Sequence, residues 1–382
     1  MPSLVHVDFN LTNACNLACT HCHSASGKAL PSELTTAEIK DAVSQAHELG
    51  ALSIAFAGGE PFMRSDLLEI LQHATNLPGW RVSAITNGLF LTDRSIATLL
   101  EACPEVGLNI SVDGSTPDSF GLLRAQPGAT PAARAALFRR VTDGVRRAAR
   151  AGLDVSVNTT MTKAGRSDLV ATYDFAIEEL GAQSMVAIKF FPAGFGREHL
   201  DLYDFSWPEW AEFFADLTRL RLSGGIPKMQ LSVPSPWEFY LPLIDAEIDI
   251  KEAESAWDYR SPLREASYAR SRDIGDVAGW AELCIAGDGT VYPSVLMVGE
   301  SRELCGSLRE QSLQEIWARS ERLSDMRSLR VADIGGGCRT CSLRSICGGG
   351  SRSRALADFG DVSATDAACP LTTPVASLEI AR

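Results

Sequence analysis

The chain has 382 residues, 45% of them apolar, and 35 Lys and Arg against 48 Asp and Glu leave a formal charge of −13. That size and composition suit one large folded unit beside a smaller one. No run of 18 apolar residues argues for a membrane span, and the opening "PSLVHVDF" lacks the basic stretch and long apolar core of a signal peptide. The acidic balance opposes non-specific nucleic-acid binding, so a cytoplasmic protein without membrane or nucleic-acid partners is expected.

Taken in chain order, the first 190 residues alternate short apolar runs with longer amphipathic ones. The runs "LVHVDF" (4–9), "LSIAFA" (52–57), "RVSAIT" (81–86), "VGLNISV" (106–112), "DVSVNTT" (154–160) and "MVAIKF" (185–190) read as strands. Helical patterns cover 35–49, 65–75, 92–102, 131–150 and 168–180, and Thr35 with Glu38 forms a capping box before the first. Strand, helix, strand at this rhythm means a parallel sheet with crossover helices, either a partial barrel or a doubly wound sheet. In both, the active site lies beyond the carboxyl ends of the strands, where "NLTNAC", "GGEP", "TNG", "DGS" and "NTT" fall.

After Phe190 the rhythm changes. A helix is expected over 207–223, closing a first unit of residues 1–223. Residues 224–279, with prolines at 227, 234, 236, 242 and 262 and mixed charge over 245–273, read as a linker or a substrate-covering insertion. A second unit spans 280–382. It holds a hairpin, "ELCIAGDGTVYPS", turning at Asp288-Gly289, a helix over 312–330, and a cysteine-rich tail.

Nine of the ten cysteines lie in two groups, and only Cys103 stands apart. A chain of this length builds a core without disulfides, so metal ligation is the better reason for them. Cys15, Cys19 and Cys22 crowd into eight residues. Structural zinc takes four ligands, whereas three thiolates on one loop can hold three corners of a four-iron cluster and leave one iron open to a further ligand. Cys338, Cys341 and Cys347, followed by Cys369, supply four thiolates, enough for a whole cluster or for a zinc ion.

"CNLACTHC" resembles the C-x3-C-x2-C signature of the radical S-adenosylmethionine (radical SAM) enzymes, and "GGEP", "TNG", "SVDG" and "VNTT" fall in register with it after successive strands. The resemblance implies an α/β fold, a partial (β/α)6 TIM-like barrel over about residues 4–195. It implies that Cys15, Cys19 and Cys22 ligate a [4Fe-4S] cluster and that S-adenosyl-L-methionine chelates the fourth iron. Gly58, Gly59, Glu60 and Pro61 would meet the cofactor's methionyl end, Glu60 accepting from its amine. Asn87 of the "TNG" motif is grouped with them. Asn158 would contact the ribose, Ser111 and Asp113 would line the mouth, and His21 would stand near the adenine. An electron donor such as flavodoxin or ferredoxin is implied, with formation of a 5′-deoxyadenosyl radical that removes hydrogen from a substrate.

"DGTVYPS…CGSLREQSLQEIW…CRTCSLRSIC…C" resembles the SPASM domain, a C-terminal cysteine-rich iron–sulfur unit. Carried over by position, Cys338, Cys341, Cys347 and Cys369 match the ligands of one auxiliary [4Fe-4S] cluster. A second auxiliary cluster is in doubt. Ser294 and Ser351 stand where family members that hold it have cysteines, and only Cys284 and Cys305 remain as possible additional ligands. Enzymes of this kind crosslink, oxidise or epimerise ribosomally made peptides. No leader-gripping unit precedes the first strand here, so a separate leader-binding protein is expected for a peptide. The alternatives are radical chemistry on a small molecule, an aminocyclitol, sugar or tetrapyrrole, and a non-enzymatic iron–sulfur electron carrier.

Overall fold

A computed structural model describes residues 3–259 and 274–372. Parallel strands β1 (His6–Thr12), β2 (Ser53–Gly58), β3 (Arg81–Thr86), β4 (Gly107–Ser111), β5 (Asp154–Met161) and β6 (Ser184–Lys189) lie side by side in chain order. They answer the six apolar runs. Between them stand α1 (Thr36–Glu48), α2 (Leu67–Thr75), α3 (Asp93–Ala102), α4 (Pro117–Arg124), α5 (Pro131–Arg150) and α6 (Leu169–Asp174). The Thr35–Glu38 capping box closes the start of α1. A second box, Thr116–Ser119, starts α4, a helix that the periodicity did not suggest because it is only two turns long.

The sheet continues at both ends. Helices α7 (Leu200–Tyr203) and α8 (Trp207–Leu222) lead to β7 (Met229–Ser232), which pairs parallel with β6. Helices α9 (Pro236–Asp245) and α10 (Ile250–Ala256) follow. The stretch expected to be a linker or covering insertion therefore supplies a seventh strand and two helices. Its prolines hide this, because Pro236 occupies the first turn of α9, where a missing N–H costs nothing. The rest of its mixed-charge run, 260–273, lies outside the described residues.

At the other edge, β8 (Glu282–Ile285) pairs parallel with β1 and antiparallel with β9 (Thr290–Tyr292), and β10 (Gly306–Ser307) completes a ten-stranded order β10-β9-β8-β1-β2-β3-β4-β5-β6-β7. The Asp288-Gly289 hairpin is thus present and is also stitched onto the barrel. The helix expected over 312–330 is two, α11 (Leu313–Arg319) and α12 (Glu321–Ser328). Ser320 ends the first, and its side chain accepts from the Leu323 N–H of the second. Short helices α13 (Arg344–Cys347) and α14 (Arg352–Phe359) carry the tail. No helix among the described residues is long and apolar enough to cross a membrane.

Alternation along the strands divides the sheet into two faces. Val7, Phe9, Leu11, Ile54, Phe56, Leu108, Val155 and Met185 pack under the helices in one continuous core. The residues between them face away from the helices. The Phe9 and Phe56 rings lie 6.1 Å apart and are fully buried, so Phe9→Ala removes aromatic surface at the joint of the first two strands. It is expected to cost about 3–5 kcal/mol in urea unfolding, whereas alanine at exposed Leu52 should change stability by under about 0.5 kcal/mol.

Candidate active site and second cysteine centre

The Cys15–Cys22 turn follows β1 and is fixed by its backbone. The Cys15 N–H donates to the Gly27 carbonyl at 2.9 Å, Thr20 N–H to Leu123 O at 3.2 Å, and Phe195 N–H to Cys22 O at 3.0 Å. Cys19 is buried, and Cys15 and Cys22 are half-buried. No three His, Cys, Asp or Glu side chains among the described residues are gathered tightly enough to hold a single ion.

The "GGEP" loop lies directly on this turn. Gly59 N–H donates to Thr12 O at 2.7 Å, and Glu60 N–H to Ala14 O at 2.8 Å. A Cβ on Gly59 would stand 2.1 Å from Ala14 O. One on Gly58, whose φ is +121°, would stand 2.4 Å from Thr12 O. Only glycine fits either place. Pro61 then opens a short 3-10 turn.

Glu60, nearly sealed from solvent, ties this loop to the "TNG" loop. Its carboxylate accepts from Thr86 Oγ1 at 2.8 Å, from the Asn87 N–H at 2.7 Å and from the Phe62 N–H at 3.1 Å. Burial nonetheless raises its pKa. Asn87 extends the tie back to the cysteine turn, its Nδ2 donating to Asn16 Oδ1 at 2.7 Å.

Asp113 is fully buried and engaged. It accepts from Arg124 Nε and from the Thr160 N–H at 2.6 Å, and His21 Nε2 stands 3.7 Å away. Burial opposes its charge, but the Arg124 guanidinium holds its pKa below the usual range. Arg124 in turn points Nη1 at Cys19 Sγ, 3.9 Å away. Burial pushes the Cys19 thiol to about 11 despite that guanidinium, so metal binding at neutral pH must release its proton. His21 is held neutral by burial, with a pKa lowered to about 4. Its Nδ1 faces Leu123 O at 3.3 Å, and its ring meets Tyr203 edge-on at 6.5 Å.

Ser111 and Asn158 are register partners on the face away from the helices. Asn158 Oδ1 is buried there without a hydrogen-bond partner. The same face carries Ser53, Ser83, Asn109, Ser156 and Ser184. Its deeper end carries His6, Asp8 and Glu282, with His6 bonded to Ser53 Oγ at 2.8 Å and 3.5 Å from Asp8. Lys189 faces the other way, toward the helices beside Met161. Arg81, at the exposed start of β3, is the one Lys or Arg among the described strand residues of β1–β8 on the inward face.

The second cysteine group surrounds a separate, narrow cavity. Cys338, Cys341, Cys347 and Cys369 all line it, with Trp237, Tyr240, Leu241, Val331, Leu343 and Leu371 as apolar walls. Burial raises Cys347 to about 12 and Cys369 to about 11. Cys284 and Cys305 do not share this cavity or each other's surroundings. Cys284 is fully buried beside Asp8 and Glu282, while Cys305 sits by Glu303 and lines a polar hollow with Arg302, Ser320 and Arg322. The Ser294 side chain accepts from the Leu296 N–H, and Ser351 caps α14.

Sequence reading singled out neither Arg124 nor Tyr203, and it gave Asn16 of "CNLACTHC" and Thr86 of "TNG" no role of their own. Each owes its place to a partner far along the chain, and a lone residue of these types carries no local signal. The site residues that it did single out are motif residues, whose spacing is visible in one short stretch.

Two outcomes follow. Gly59→Ala forces the "GGEP" loop off the cysteine turn, and is expected to lower the iron and sulfide content of the reconstituted protein by about half, whereas alanine at Gly50, an open surface glycine, should leave it unchanged. Burial first, and then the charges of Asp8 and Asp276, raise Glu282 to about 7. Because the folded state holds this proton more tightly than the unfolded chain, the penalty is absent below the ordinary glutamate range, grows between about 4.5 and 7, and is full above. Glu282→Gln should therefore flatten the fall of stability across that window, gaining no more than about 3 kcal/mol above it in denaturant titrations at several pH values.

The donor set, the two side-chain-free glycines and the unpartnered inward amide of Asn158 fit a cluster with a polar organic ligand laid over it. Residues 9–176 match the Radical SAM superfamily, and residues 277–342 match SPASM, an iron–sulfur cluster-binding domain. An AdoMet-dependent heme synthase of Methanosarcina barkeri is 28% identical over 93% of both chains. The mycofactocin maturase MftC of Mycobacterium tuberculosis is 38% identical over 33% of this chain and 32% of its own. The crystal structure of Streptococcus suis SuiB bound to precursor peptide SuiA shares the fold with a TM-score of 0.71 at 16% identity, over 97% of this chain and 76% of SuiB. Native anSMEcpe with bound AdoMet gives a TM-score of 0.64 over 99% and 95% of the two chains, also at 16% identity. This chain is an enzyme that carries a Radical SAM superfamily domain over residues 9–176 and a SPASM iron–sulfur domain over residues 277–342.

Proposed function

We propose that the enzyme modifies a peptide, removing a hydrogen atom from a residue threaded into the barrel mouth to form a crosslink, oxidise a side chain or invert a centre. A cluster on Cys15, Cys19 and Cys22 with S-adenosyl-L-methionine at its open iron supplies, when reduced by one electron from a flavodoxin or ferredoxin, the 5′-deoxyadenosyl radical and methionine. The chain's own residues position and seal. Gly58 and Gly59 let the methionyl end approach, Glu60 keeps one lone pair for its amine beyond the three donors it already meets, and Asn158 Oδ1 takes a ribose hydroxyl. Arg124, aligned by Asp113, offsets thiolate charge at Cys19. Cys338, Cys341, Cys347 and Cys369 hold one auxiliary cluster. Cys284 and Cys305 hold none.

The observation that carries the peptide reading is the character of the inward face. Serines and asparagines, set among Ile85, Val186 and Ile188, offer donors and acceptors to a peptide backbone, and the deeper end carries the Asp8 carboxylate and Glu282, whose proton is held up to about 7. A polycarboxylate such as a tetrapyrrole would meet the Asp8 carboxylate there, offset by the His6 imidazole beside it and by Arg81 at the rim. The fold shared with SuiB, whose structure was solved with a precursor peptide, supports the same reading. The full-length similarity to the heme synthase of Methanosarcina barkeri favours the second reading, radical chemistry on a tetrapyrrole.

The test is anaerobic reconstitution followed by turnover. Wild type is expected to hold about eight irons, and a Cys15/Cys19/Cys22 triple alanine variant about four and no 5′-deoxyadenosine production. About twelve irons in wild type would restore a second auxiliary cluster. Supplied separately with short neutral or basic peptides encoded beside its gene, and with iron coproporphyrin, the enzyme is expected to couple 5′-deoxyadenosine release to a mass change in the peptide. A mass change only in the porphyrin would overturn the peptide reading and leave the radical chemistry standing.

A further inference from the structure

A chain of four buried charges runs from the barrel to the second cysteine cavity. Lys189 Nζ meets Glu238 Oε1 at 2.9 Å, the same oxygen meets Arg354 Nη2 at 3.1 Å, and Arg354 Nη1 meets Asp366 Oδ1 at 3.0 Å. All four side chains are 5% exposed or less. They come from β6, α9, α14 and the loop before Cys369, so they join the parallel sheet to the cysteine-rich tail. Replacing such a buried set by apolar residues is often neutral or stabilising, so stability alone is a poor account of it.

The cavity end of the chain touches the cysteine centre at two points. The Asp366 carboxylate accepts from Trp237 Nε1 at 2.9 Å, and the Trp237 ring is a wall of the cavity packed with Cys369. The Asp366 carbonyl accepts from the Cys369 N–H at 3.0 Å, and its carboxylate also takes the Ser351 N–H at 2.9 Å. Gly350, at φ +77°, lets this happen, since a Cβ there would stand 2.7 Å from Asp366 Cβ. Arg354 also lies over the Trp237 ring, 5.9 Å from its centroid.

We propose that Asp366 and Arg354 are positioning residues for the iron–sulfur cluster of the four-cysteine cavity, fixing Cys369 and Trp237 and setting by their opposed charges how readily that cluster accepts an electron. The proposal rests on the reading of this cavity as a cluster site. Reduction adds negative charge inside apolar walls, where nearby charges are weakly screened. Asp366 opposes it and Arg354 favours it.

The test is an EPR-monitored redox titration in the Cys15/Cys19/Cys22 triple alanine background, where the second cluster is the one observed. Asp366→Asn is expected to move the midpoint potential positive, Arg354→Gln to move it negative, and Arg354→Lys, which keeps the charge, to stay near the parent. Lys189→Gln, two links further from the cavity, is expected to shift it less than Arg354→Gln. If Arg354→Gln does not fold, Asp366→Asn and Arg354→Lys still decide the sign. A purely structural role would lower iron content without opposite shifts. Unchanged potentials, or shifts of one sign, in variants that retain about four irons overturn the proposal. A triple variant that binds no iron overturns the reading of the cavity itself, and the proposal with it.

Discussion

Two backbones pressed together without a side chain between them set the geometry of this enzyme. Gly58 and Gly59 lie against Thr12 and Ala14, hydrogen-bonded where any Cβ would overlap a carbonyl oxygen. The first strand leads into the cysteine turn and the second into "GGEP", so this contact fixes the turn that carries three thiols against the "GGEP" loop. Glu60 and Asn87 then bind the third strand's end to the same place. Everything the mouth does chemically requires these three loops to hold one register.

Charge is handled in two ways around this contact. At the mouth it is paired locally, Arg124 on Asp113 beside Cys19, so the cysteine turn gains a cation whose direction is fixed. At the second centre the pairing is stretched into a chain from β6 to the loop before Cys369. Between them the inward face of the sheet carries serines and asparagines beside Ile85, Val186 and Ile188, with Asp8 and Glu282 at the deeper end.

The first six strands were legible because each is an apolar run flanked by turn residues, and parallel strands buried under helices carry that signal most strongly. The seventh, Met229–Ser232, was hidden by Pro227 and Pro234 on either side. The parallel pairing of Glu282–Ile285 with the first strand was invisible, since a hairpin looks complete by itself and nothing local announces a neighbour nearly three hundred residues away. Ser320 lies inside an unbroken amphipathic pattern, and only its side-chain cap reveals the break. At the site, the cysteine spacings and "GGEP" stood out as local patterns. Arg124, Asp366 and Lys189 did not, because their meaning lies in partners brought together by the fold.

The most direct measurement of the central claim is the EPR spectrum of the anaerobically reconstituted, reduced enzyme, recorded with and without S-adenosyl-L-methionine. If the Cys15–Cys22 turn holds a cluster with one iron open, as proposed, the added ligand should change the g-values of the wild-type signal and leave the Cys15/Cys19/Cys22 variant's remaining signal as it was. Identical wild-type spectra in both conditions would contradict the account.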